Sequence, residues 1–380
     1  MLLIESIIKE AIEKDASDIH LIKGLKPILR IRRSLVEIPD LDALDEGDLY
    51  DIYDYIVRGN IEKDNMYKKQ RKLDTSLVYG DIRLRVNCSF SDDAPIFTMR
   101  IIKNELPKYE DLGLPEIIRT MTYQPQGVIL VTGKTNSGKS TTLSALIDEI
   151  NCRQNRKILT LENPIEFKHR SKKSIIVQKE IGPGKDALTF SDGVKNALRE
   201  DCDILVIGEI RDRETMEAAI DMAESGHLVI GTLHTKSCAE TIDRMINFYD
   251  VRDQAQIKNL ISTLLKIVVS QRLLKEANSD KLVLVPEVMV VDNTIAACIR
   301  KDKFSTSEIE DAIQGNLEKG SIGLINSLAN LYVQGKLSLD QVKAQVEEKN
   351  YETLNRTIMQ LNLRKNATAQ AQAQARNMYK

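Results

Sequence analysis

The sequence predicts an α/β protein of two domains, a small α+β domain followed by a larger domain built on a parallel sheet. From Gly127 onward, short strands that are apolar throughout alternate with helical segments, a pattern typical of a parallel sheet covered on both faces. Before residue 103, strands with alternating apolar and polar residues follow an amphipathic helix, which indicates a small α+β domain. The length of 380 residues also favours two domains over one.

The first domain is predicted over residues 1–103. Residues 1–16 place apolar side chains on one face at helical spacing and predict the opening helix. A linker is predicted over 104–115, where the periodicity lapses in a stretch that contains Pro107, Gly113 and Pro115. The predicted strands of this domain are 18–22, 28–32, 76–79, 81–90 and 96–102.

The second domain is predicted over residues 116–365, and beyond residue 251 it reads mostly as helices with one strand near 281–291. Residues 366–380 contain an Ala-Gln repeat without an apolar face, so we expect a disordered tail that could fray in and out of helix. The alternating elements before residue 251 are strands at 127–132, 157–161, 203–207 and 227–232 and helices at 139–151, 190–199, 212–225 and 237–247.

Composition and charge exclude several classes of protein. Lysine and arginine total 54 against 56 acidic residues, so no global basic field favours a nucleic acid partner or anionic lipid. No apolar run approaches the roughly 20 residues that span a bilayer, and Glu5 lies where a signal peptide would be positive, so a cytoplasmic protein is expected. The five cysteines form no C-x-x-C pair, which argues against a disulfide framework and a zinc ribbon.

The segment 133–140 has the G-x-x-x-x-G-K-S pattern of a phosphate-binding loop. Such a loop needs a strand that ends abruptly, glycines that let backbone amides approach phosphate, a lysine for the β and γ oxygens, and a hydroxyl for Mg²⁺. All four features are present, and Lys139 is expected to face solvent as a point charge. The predicted loop residues are Gly133, Lys134, Thr135, Asn136, Ser137, Gly138, Lys139 and Ser140.

Two acidic residues follow apolar strands of the same predicted sheet. Glu209 follows the strand that begins at Asp203, and Glu162 ends the strand that begins at Lys157. Ligands of open α/β sheets collect at the carboxyl ends of strands, so both carboxylates are expected near the nucleotide. Glu209 is predicted to hold Mg²⁺ or polarise water, and Glu162 to orient the attacking water. The alternatives are a solvated turn acid for Glu209 and a local cap or ion pair for Glu162.

Two histidines lie at the ends of the predicted strand 227–232. His234 follows its carboxyl end and is a candidate for nucleotide contact, although a histidine at a strand end is usually structural. His227 lies at the start of the strand, which is remote from the phosphates if the strand is straight. We therefore expect a structural role for His227.

Taken together, these blocks resemble the secretion and pilus ATPases, and within them the PilT-type retraction motors. The order and spacing match from Ala16 to about residue 350. The segment 16–21, with Pro27 and Arg30, resembles the opening motif of that family's PAS-like N-terminal domain, which precedes a RecA-like ATPase domain. The segments 157–166, 203–212 and 226–235 resemble the family's Asp box, Walker B element and His box.

The resemblance implies a hexameric ring that hydrolyses ATP with Mg²⁺ between subunits and drives type IV pilus retraction and twitching motility. It also implies a place at the inner face of the cell membrane, where the ring acts on a pilus platform protein, with a second pilus ATPase as a further candidate partner. By this resemblance Lys139, Ser140 and Thr141 bind phosphates and Mg²⁺, Glu162 is the catalytic glutamate, Glu209 supports the metal site and His234 senses the γ-phosphate. On the same ground the role of His227, structural by its position alone, is left open.

Three arginines fall where the family's N-terminal domain presents arginines to the nucleotide of the neighbouring subunit. An arginine supplied in trans stabilises the charge that spreads over the transferred phosphoryl group. Arg83 and Arg85 share one face of a strand, and Arg100 is within reach if the next strand pairs with it. The alternative is that all three are solvated strand arginines paired with nearby acids.

Three departures from the family pattern bear on activity. Lys134 and Asn136 replace proline and glycine in the loop, and asparagine tolerates a left-handed backbone, so the loop is expected to keep its shape. Asn163 replaces the aspartate of the Asp box and removes a negative charge, so slower hydrolysis is expected. The segment 294–303 follows the A-I-R-N-L-I-R-E retraction motif only loosely, keeping Ile295, Ile299 and Arg300.

Other functions stay open on the sequence alone. Extension, competence and type II secretion ATPases share the motifs, but extension and type II motors typically carry a long N-terminal extension and a four-cysteine zinc insert. A weakly hydrolysing or non-hydrolysing accessory subunit of a pilus motor would account for Asn136 and Asn163. A recombinase-like motor would share the sheet, but the balanced charge and the lack of tryptophan give it little on which to stack bases.

Overall fold

The computed structural model describes residues 2–31, 34–80, 82–102 and 106–378, without the side chains of Glu62, Met66 and residues 366–378. The chain divides into two compact units. The first comprises residues 1–106, 163–169 and 180–188, and the second comprises 107–162, 170–179 and 189–380. The sequence did not indicate that two short later segments group with the first unit. Of the predicted linker, 104 and 105 lie outside the described residues and Tyr109–Leu112 forms a 3-10 turn.

The first unit contains a six-stranded antiparallel sheet with the strand order β3-β2-β1-β6-β5-β4. The predicted opening helix, α1, buries Ile4, Ile7 and Ile8 in a core shared with strand residues such as Leu84 and Val86. The sequence predicted neither β3 nor the helices α2 and α3. The elements are α1 (Leu3–Glu13), β1 (Asp18–Leu21), β2 (Ile28–Ile31), β3 (Ser34–Glu37), α2 (Glu46–Val57), α3 (Ile61–Gln70), β4 (Leu73–Tyr79), β5 (Ile82–Ser91) and β6 (Ala94–Ile102).

The second unit is built on a seven-stranded sheet with the order β13-β12-β7-β11-β10-β8-β9. The elements are α4 (Glu116–Met121), β7 (Gly127–Thr132), α5 (Lys139–Arg153), β8 (Lys157–Glu162), β9 (Ile175–Glu180), α6 (Phe190–Ala197), β10 (Ile204–Ile207), α7 (Arg213–Glu224), β11 (Leu228–Leu233), α8 (Cys238–Asn247), α9 (Gln254–Leu264), β12 (Leu265–Lys275), β13 (Leu282–Val290), α10 (Asn293–Arg300), α11 (Thr306–Gly315), α12 (Leu324–Val333), α13 (Leu339–Lys343) and α14 (Tyr351–Met378).

The parallel sheet is confirmed. Strands β12, β7, β11, β10 and β8 pair in parallel, and every residue of β7, β10 and β11 is buried. Continuous apolar strands arise because helices cover both faces of such a sheet. The α/β class predicted from the sequence therefore holds for the second unit.

The C-terminal part differs from the sequence prediction in two places. Strand β12, which pairs in parallel with β7 and antiparallel with β13, lies where helices were expected. Helix α14 continues to Met378, whereas a disordered tail was expected from Asn366. Alanine and glutamine have high helix propensity, which favours a helix here although the segment has no apolar face. Tyr379 and Lys380 lie outside the described residues. No helix within the described ranges has the length and apolarity to cross a bilayer.

The loosely matching segment 294–303 forms α10 and the turn after it. Ile295 and Ile299 are fully buried, and Arg300 Nη1 donates to Ser262 Oγ of α9 at 3.0 Å. The three residues that this segment shares with the retraction motif therefore pack α10 against the rest of the second unit, with Arg300 joining it to α9.

Candidate active site

Four neighbouring strands of the second unit, in the order β7, β11, β10 and β8, end at one edge of the sheet. Their registers are matched at that edge: Thr132 lies opposite Leu233, and Ile207 lies opposite Leu161. The segments that leave these strands therefore start side by side. Gly133 and His234 directly follow β7 and β11, Glu209 is the second residue after β10, and Glu162 ends β8.

The phosphate loop between β7 and α5 depends on three residues with positive φ. Gly133 has φ +148°, and a Cβ there would lie 2.6 Å from the carbonyl oxygen of Gln271 on β12, so only glycine fits. Asn136 has φ +64°, in the left-handed region that asparagine tolerates. Gly138 has φ +87° and caps the N-terminus of α5. The backbone of the loop and the first turn of α5 therefore surround the same small space, where a phosphate could bind.

Lys139 does not face solvent, contrary to the sequence prediction. The residue is only 9% exposed, and its Nζ donates to the carbonyl oxygens of Gly133 at 2.8 Å and Lys134 at 2.9 Å. The loop wraps around its own lysine, so these carbonyls replace water. Burial lowers the pKa of the Lys139 ammonium, while the nearby charge of Glu209 acts to raise it.

The start of α5 offers further groups to a phosphate. Ser140 is exposed and Thr141 half-buried in the first turn, where the N–H groups of a helix have no intrahelical partner. Thr142 is buried, and its hydroxyl accepts from Gln271 Nε2 at 2.7 Å. This bond joins the helix to β12 and fixes the direction of the first turn.

Glu209, just beyond β10, is held on both carboxylate oxygens. Arg211 Nη2 donates to Oε2 at 2.5 Å, and His234 Nε2 lies 3.0 Å from Oε1. Burial alone would raise the pKa of Glu209, but the hydrogen bond from Arg211 and the charges of Arg211, His234 and Lys139 outweigh it and lower this pKa. Glu209 is therefore an ionised carboxylate beside the phosphate loop, in contact with the histidine that follows β11.

Glu162 ends β8 next to the strand that leads to Glu209. Its Oε1 accepts from Thr160 Oγ1 at 2.6 Å and from Gln178 Nε2 at 3.0 Å. The Gly208 N–H donates to the Leu161 carbonyl at 2.8 Å, and a Cβ on Gly208 would lie 3.4 Å from the Glu162 Cα. The two acidic segments therefore run in close contact, and two polar partners orient the Glu162 carboxylate.

The arginines of the first unit have different surroundings. Strands β5 and β6 pair as expected, which places Arg85 directly opposite Arg100. Arg100 is 68% exposed and its Nε donates to Asp18 Oδ1 at 2.9 Å, whereas Arg85 is exposed and has no ion pair with any described residue. These two arginines lie side by side on one face of the sheet.

Arg83 is engaged within the first unit. Its side chain is 11% exposed, donates to Ser76 Oγ at 2.9 Å and forms an ion pair with the buried carboxylate of Glu180. Lys185 Nζ lies 2.5 Å from the other oxygen of Glu180. A pair this well buried leaves the Arg83 guanidinium little freedom to meet another ligand.

His227 lies at the amino end of β11, the end away from the phosphate loop. Its Nδ1 is 2.9 Å from Ser225 Oγ and 3.1 Å from the Met222 carbonyl oxygen. These contacts close the turn between α7 and β11. The expectation of a structural role agrees with this position.

The sequence missed three residues that contact the site. Arg211 lies two residues after Glu209, just beyond the end of β10. An ion pair between two oppositely charged residues this close in sequence could have been predicted. Gln178 on β9 and Gln271 on β12 carry no local signal, since each reaches the site through strand pairing over a long sequence separation.

Comparisons with known proteins agree with this geometry. Residues 68–376 match the family model described as type II/IV secretion system protein. The chain is 36% identical over 339 residues to the type IV pilus retractation ATPase PilT of Pseudomonas aeruginosa, covering 88% of this chain and 96% of that protein. It is 33% identical to a twitching motility protein of Neisseria gonorrhoeae over 84% of each chain. The crystal structure of the pilus retraction motor PilT with bound ADP superposes with a TM-score of 0.84 at 34% identity, covering 93% of this chain and all of that one.

Proposed function

The chain belongs to the family of type II/IV secretion system proteins, and we propose that it is a motor ATPase that drives type IV pilus retraction. It is an ATPase of this family and binds nucleotide. The observation that carries the retraction assignment is the 36% identity to a pilus retractation ATPase over 96% of that protein's length. A similarity that covers 88% of this chain and 96% of that protein extends well beyond the nucleotide site alone.

The phosphates of ATP would bind the loop from Gly133 and the first turn of α5. Lys139 would exchange its loop carbonyls for phosphate oxygens, and Ser140 and Thr141 would add hydroxyl contacts. The donor set suits Mg²⁺: the exposed hydroxyl of Ser140 and the ionised carboxylate of Glu209 are hard oxygen ligands. When bound there, Mg²⁺ would supply positive charge that neutralises the β and γ phosphates.

The proposed chemistry uses groups from neighbouring strands. Glu162, oriented by Thr160 and Gln178, would align the attacking water and take its proton. His234 would sense whether the γ-phosphate is bound, and its contact with Glu209 would link that state to the proposed Mg²⁺ ligand. Arg85 and Arg100 are the arginines that we propose for the nucleotide of an adjacent subunit, since Arg83 is held by Glu180.

We place the protein at the inner face of the cell membrane as a homo-hexamer. Its proposed partners are a pilus platform protein and a second pilus ATPase. The chain would associate with the membrane only through the platform protein. The hexamer accounts for arginines of one chain serving a site in the next, as catalysis by an arginine in trans requires.

One pair of measurements tests the proposal. We expect the purified full-length chain to hydrolyse ATP in a Mg²⁺-dependent manner, and a deletion strain to carry excess surface pili because they are no longer withdrawn. Bald cells would instead assign the chain to pilus assembly. Intact ATP binding without turnover would assign it to an accessory subunit.

A further inference from the structure

His234 lies on a short connection between β11 and α8. The strand ends at Leu233 and the helix begins at Cys238, so residues 234–237 form the whole connection. The His234 side chain is 42% exposed, and its Nε2 lies 3.0 Å from Glu209 Oε1. A side chain so open to solvent is not fixed by packing alone. The position of His234 beside the phosphate loop therefore depends on how the backbone of this connection is held.

Thr241, in the first turns of α8, bonds back to this connection. Its Oγ1 lies 2.7 Å from Thr235 Oγ1 and donates to the Ser237 carbonyl oxygen at 2.8 Å. A hydroxyl has one proton, so Thr241 accepts from Thr235 while it donates to Ser237. Thr241 is 0% and Thr235 3% exposed. The residue that follows His234 is therefore tied to α8 by a hydrogen bond that is shielded from water.

The same hydroxyl contacts the strand that leads into the phosphate loop. Thr132, the last residue of β7, is fully buried, and its Oγ1 lies 3.4 Å from Thr241 Oγ1. Gly133, the first residue of the phosphate loop, follows Thr132 directly. Thr241 thus stands between the start of the phosphate loop and the residue next to His234.

The first turn of α8 is itself fixed to the sheet. Cys238 is fully buried, and its Sγ lies 3.4 Å from the carbonyl oxygens of Val268 on β12 and Glu287 on β13. The Cys238 N–H donates to Glu287 Oε1 at 3.4 Å, and the side chain of Ser237 caps the helix. A shift of this turn would break these buried contacts, so Thr241 is a fixed point for the connection.

We propose that Thr241 is a positioning residue for ATP hydrolysis, whose hydroxyl acts through Thr235 to hold His234 at its place beside the phosphate loop. The proposal rests on the proposed function, because it takes His234 to act at the γ-phosphate. Hydrolysis is sensitive to such placement, since a shift of about 1 Å in a group at the reacting centre can cost about 100-fold in rate.

Removal of one hydroxyl tests the proposal. Thr241→Val keeps a branched side chain of similar size but leaves the buried Thr235 hydroxyl without its acceptor. Thr241→Ser retains the hydroxyl and serves as the conservative variant. Thr235→Val removes the same bond from its other end and covers the case in which Thr241→Val does not fold.

The matched control is Thr122→Val, which also removes a buried and bonded hydroxyl. Thr122 is 1% exposed, donates to the Arg119 carbonyl oxygen at 2.7 Å and accepts from Gln154 Nε2 at 3.2 Å. Gln154 caps the C-terminus of α5, whereas the phosphate loop precedes its N-terminus. The control therefore reports what a lost buried hydrogen bond does to stability without a change near His234.

The kcat and KM for ATP and the thermal midpoint are measured for each full-length variant, alone and combined with His234→Ala. We expect Thr241→Val to lower kcat by roughly tenfold or more while KM stays within about threefold of the wild type. Thr241→Ser should keep at least about half of the kcat, and Thr122→Val should keep the full kcat. Added to His234→Ala, Thr241→Val should change kcat by less than about twofold, because the residue that it positions is gone.

Three results would overturn the role of Thr241. One is a normal kcat in both Thr241→Val and Thr235→Val when His234→Ala is impaired. Another is a loss of kcat in Thr122→Val that matches the loss in Thr241→Val, since turnover would then follow stability alone. The third is full additivity of Thr241→Val with His234→Ala. Normal turnover of His234→Ala would instead contradict the role given to His234 in the proposed function, and the role of Thr241 would fall with it.

Discussion

Lys139 keeps a positive charge in a place that burial disfavours, and the phosphate loop compensates with two carbonyl oxygens. Because both bonds are local to the loop, we expect Lys139→Ala to preserve the fold and to reduce ATP turnover by roughly 100-fold or more. Turnover and the thermal midpoint are measured together, with Lys9→Ala on the exposed face of α1 as the control. Turnover within about twofold of the wild type would contradict the assignment of the phosphate loop.

A substitution of Glu162 can separate ATP binding from ATP hydrolysis. Glutamine in its place can still accept from Thr160 and stay in position, but it cannot take a proton from water. We therefore expect Glu162→Gln to bind ATP with near-normal affinity and to hydrolyse it at least about 100-fold more slowly. A fluorescent ATP analogue reports the affinity, and Glu214→Gln, at an exposed acid, is the control. Lost binding with normal turnover per bound nucleotide would mean that the roles are misassigned.

The convergence of the motifs could be predicted from the sequence, and the partners of their side chains could not. Glu162, Glu209 and His234 were expected together because carboxyl ends of parallel strands share an edge. The contact of Glu162 with Gln178 depends on where β9 pairs, which no local pattern encodes. The burial of Lys139 was missed for a related reason: the sequence shows the loop's glycines but not the way the loop closes over the lysine.

At the scale of elements, β12 is a strand that hydrophobic periodicity alone did not predict. It follows α9 without an intervening loop, and its apolar run around Ile267 has the length at which a buried strand and a buried helix look alike. The strands β7, β10 and β11 were predicted because a helical segment with a different period separates each from the next. Pairing of β12 with β7 supplies the Gln271 carbonyl that closes on Gly133, so the missed strand also completes the phosphate loop.

Strand β13 carries a buried carboxyl that should make stability depend on pH. Glu287 is 6% exposed, and burial raises its pKa to about 7, against the Cys238 N–H and the charge of Arg272, which lower it. The folded state therefore holds this proton more tightly than the unfolded state, whose pKa is near 4.5. The free energy of unfolding then falls as pH rises from about 4.5 to 7, by roughly 3 kcal/mol in all.

Glu287→Gln should remove this dependence, because the amide stays neutral and still accepts from Cys238. We expect the variant and the wild type to have similar stability near pH 5, and the variant to be more stable at pH 8. Urea unfolding at several pH values measures the difference, and Glu352→Gln on the exposed side of α14 is the control. A difference that does not grow with pH would contradict a buried, proton-holding Glu287.

Helix α14 is packed near its start, and the exposure of its side chains rises further along the part whose side chains are described. Leu354 and Ile358 are buried in a cluster with Leu328 and Leu337, whereas Leu363 is 59% exposed. We expect truncation before Asn366 to leave the thermal midpoint unchanged, since that segment has no apolar face. Leu354→Ala should lower the free energy of unfolding by about 2–5 kcal/mol. A drop of several degrees on truncation would show that the segment after residue 365 packs.

At the scale of the whole molecule, the proposed ring requires that one chain complete the site of another. Three arginines of the first unit are candidates, and their surroundings rank them. Removing Arg83 would leave the buried carboxylate of Glu180 with Lys185 as its remaining ion-pair partner, so Arg83→Ala should destabilise the fold and cannot report on catalysis alone. Arg85 is exposed without an ion pair among the described residues, and it lies opposite Arg100 on β6.

The arrangement of Arg85 beside Arg100 makes the last prediction, which concerns activity in mixed rings. Two like charges directly opposite each other on a sheet repel, so an anion that meets them both is favoured, and the phosphates of an adjacent subunit would be such an anion. We expect Arg85→Ala rings and Lys139→Ala rings each to have little turnover, with Arg85→Ala unchanged in thermal stability.

Mixing the two variants should restore part of the turnover, because some interfaces then combine an intact Arg85 from one chain with an intact phosphate loop from the next. The control is a mixture of Lys139→Ala with Lys139→Ala,Arg85→Ala subunits, in which no interface has an intact phosphate loop. Subunit exchange is verified by mass spectrometry before activity is measured. Recovery indistinguishable from zero in verified mixed rings would leave Arg85 as a surface charge and would require the transition-state charge to be met from within the same chain.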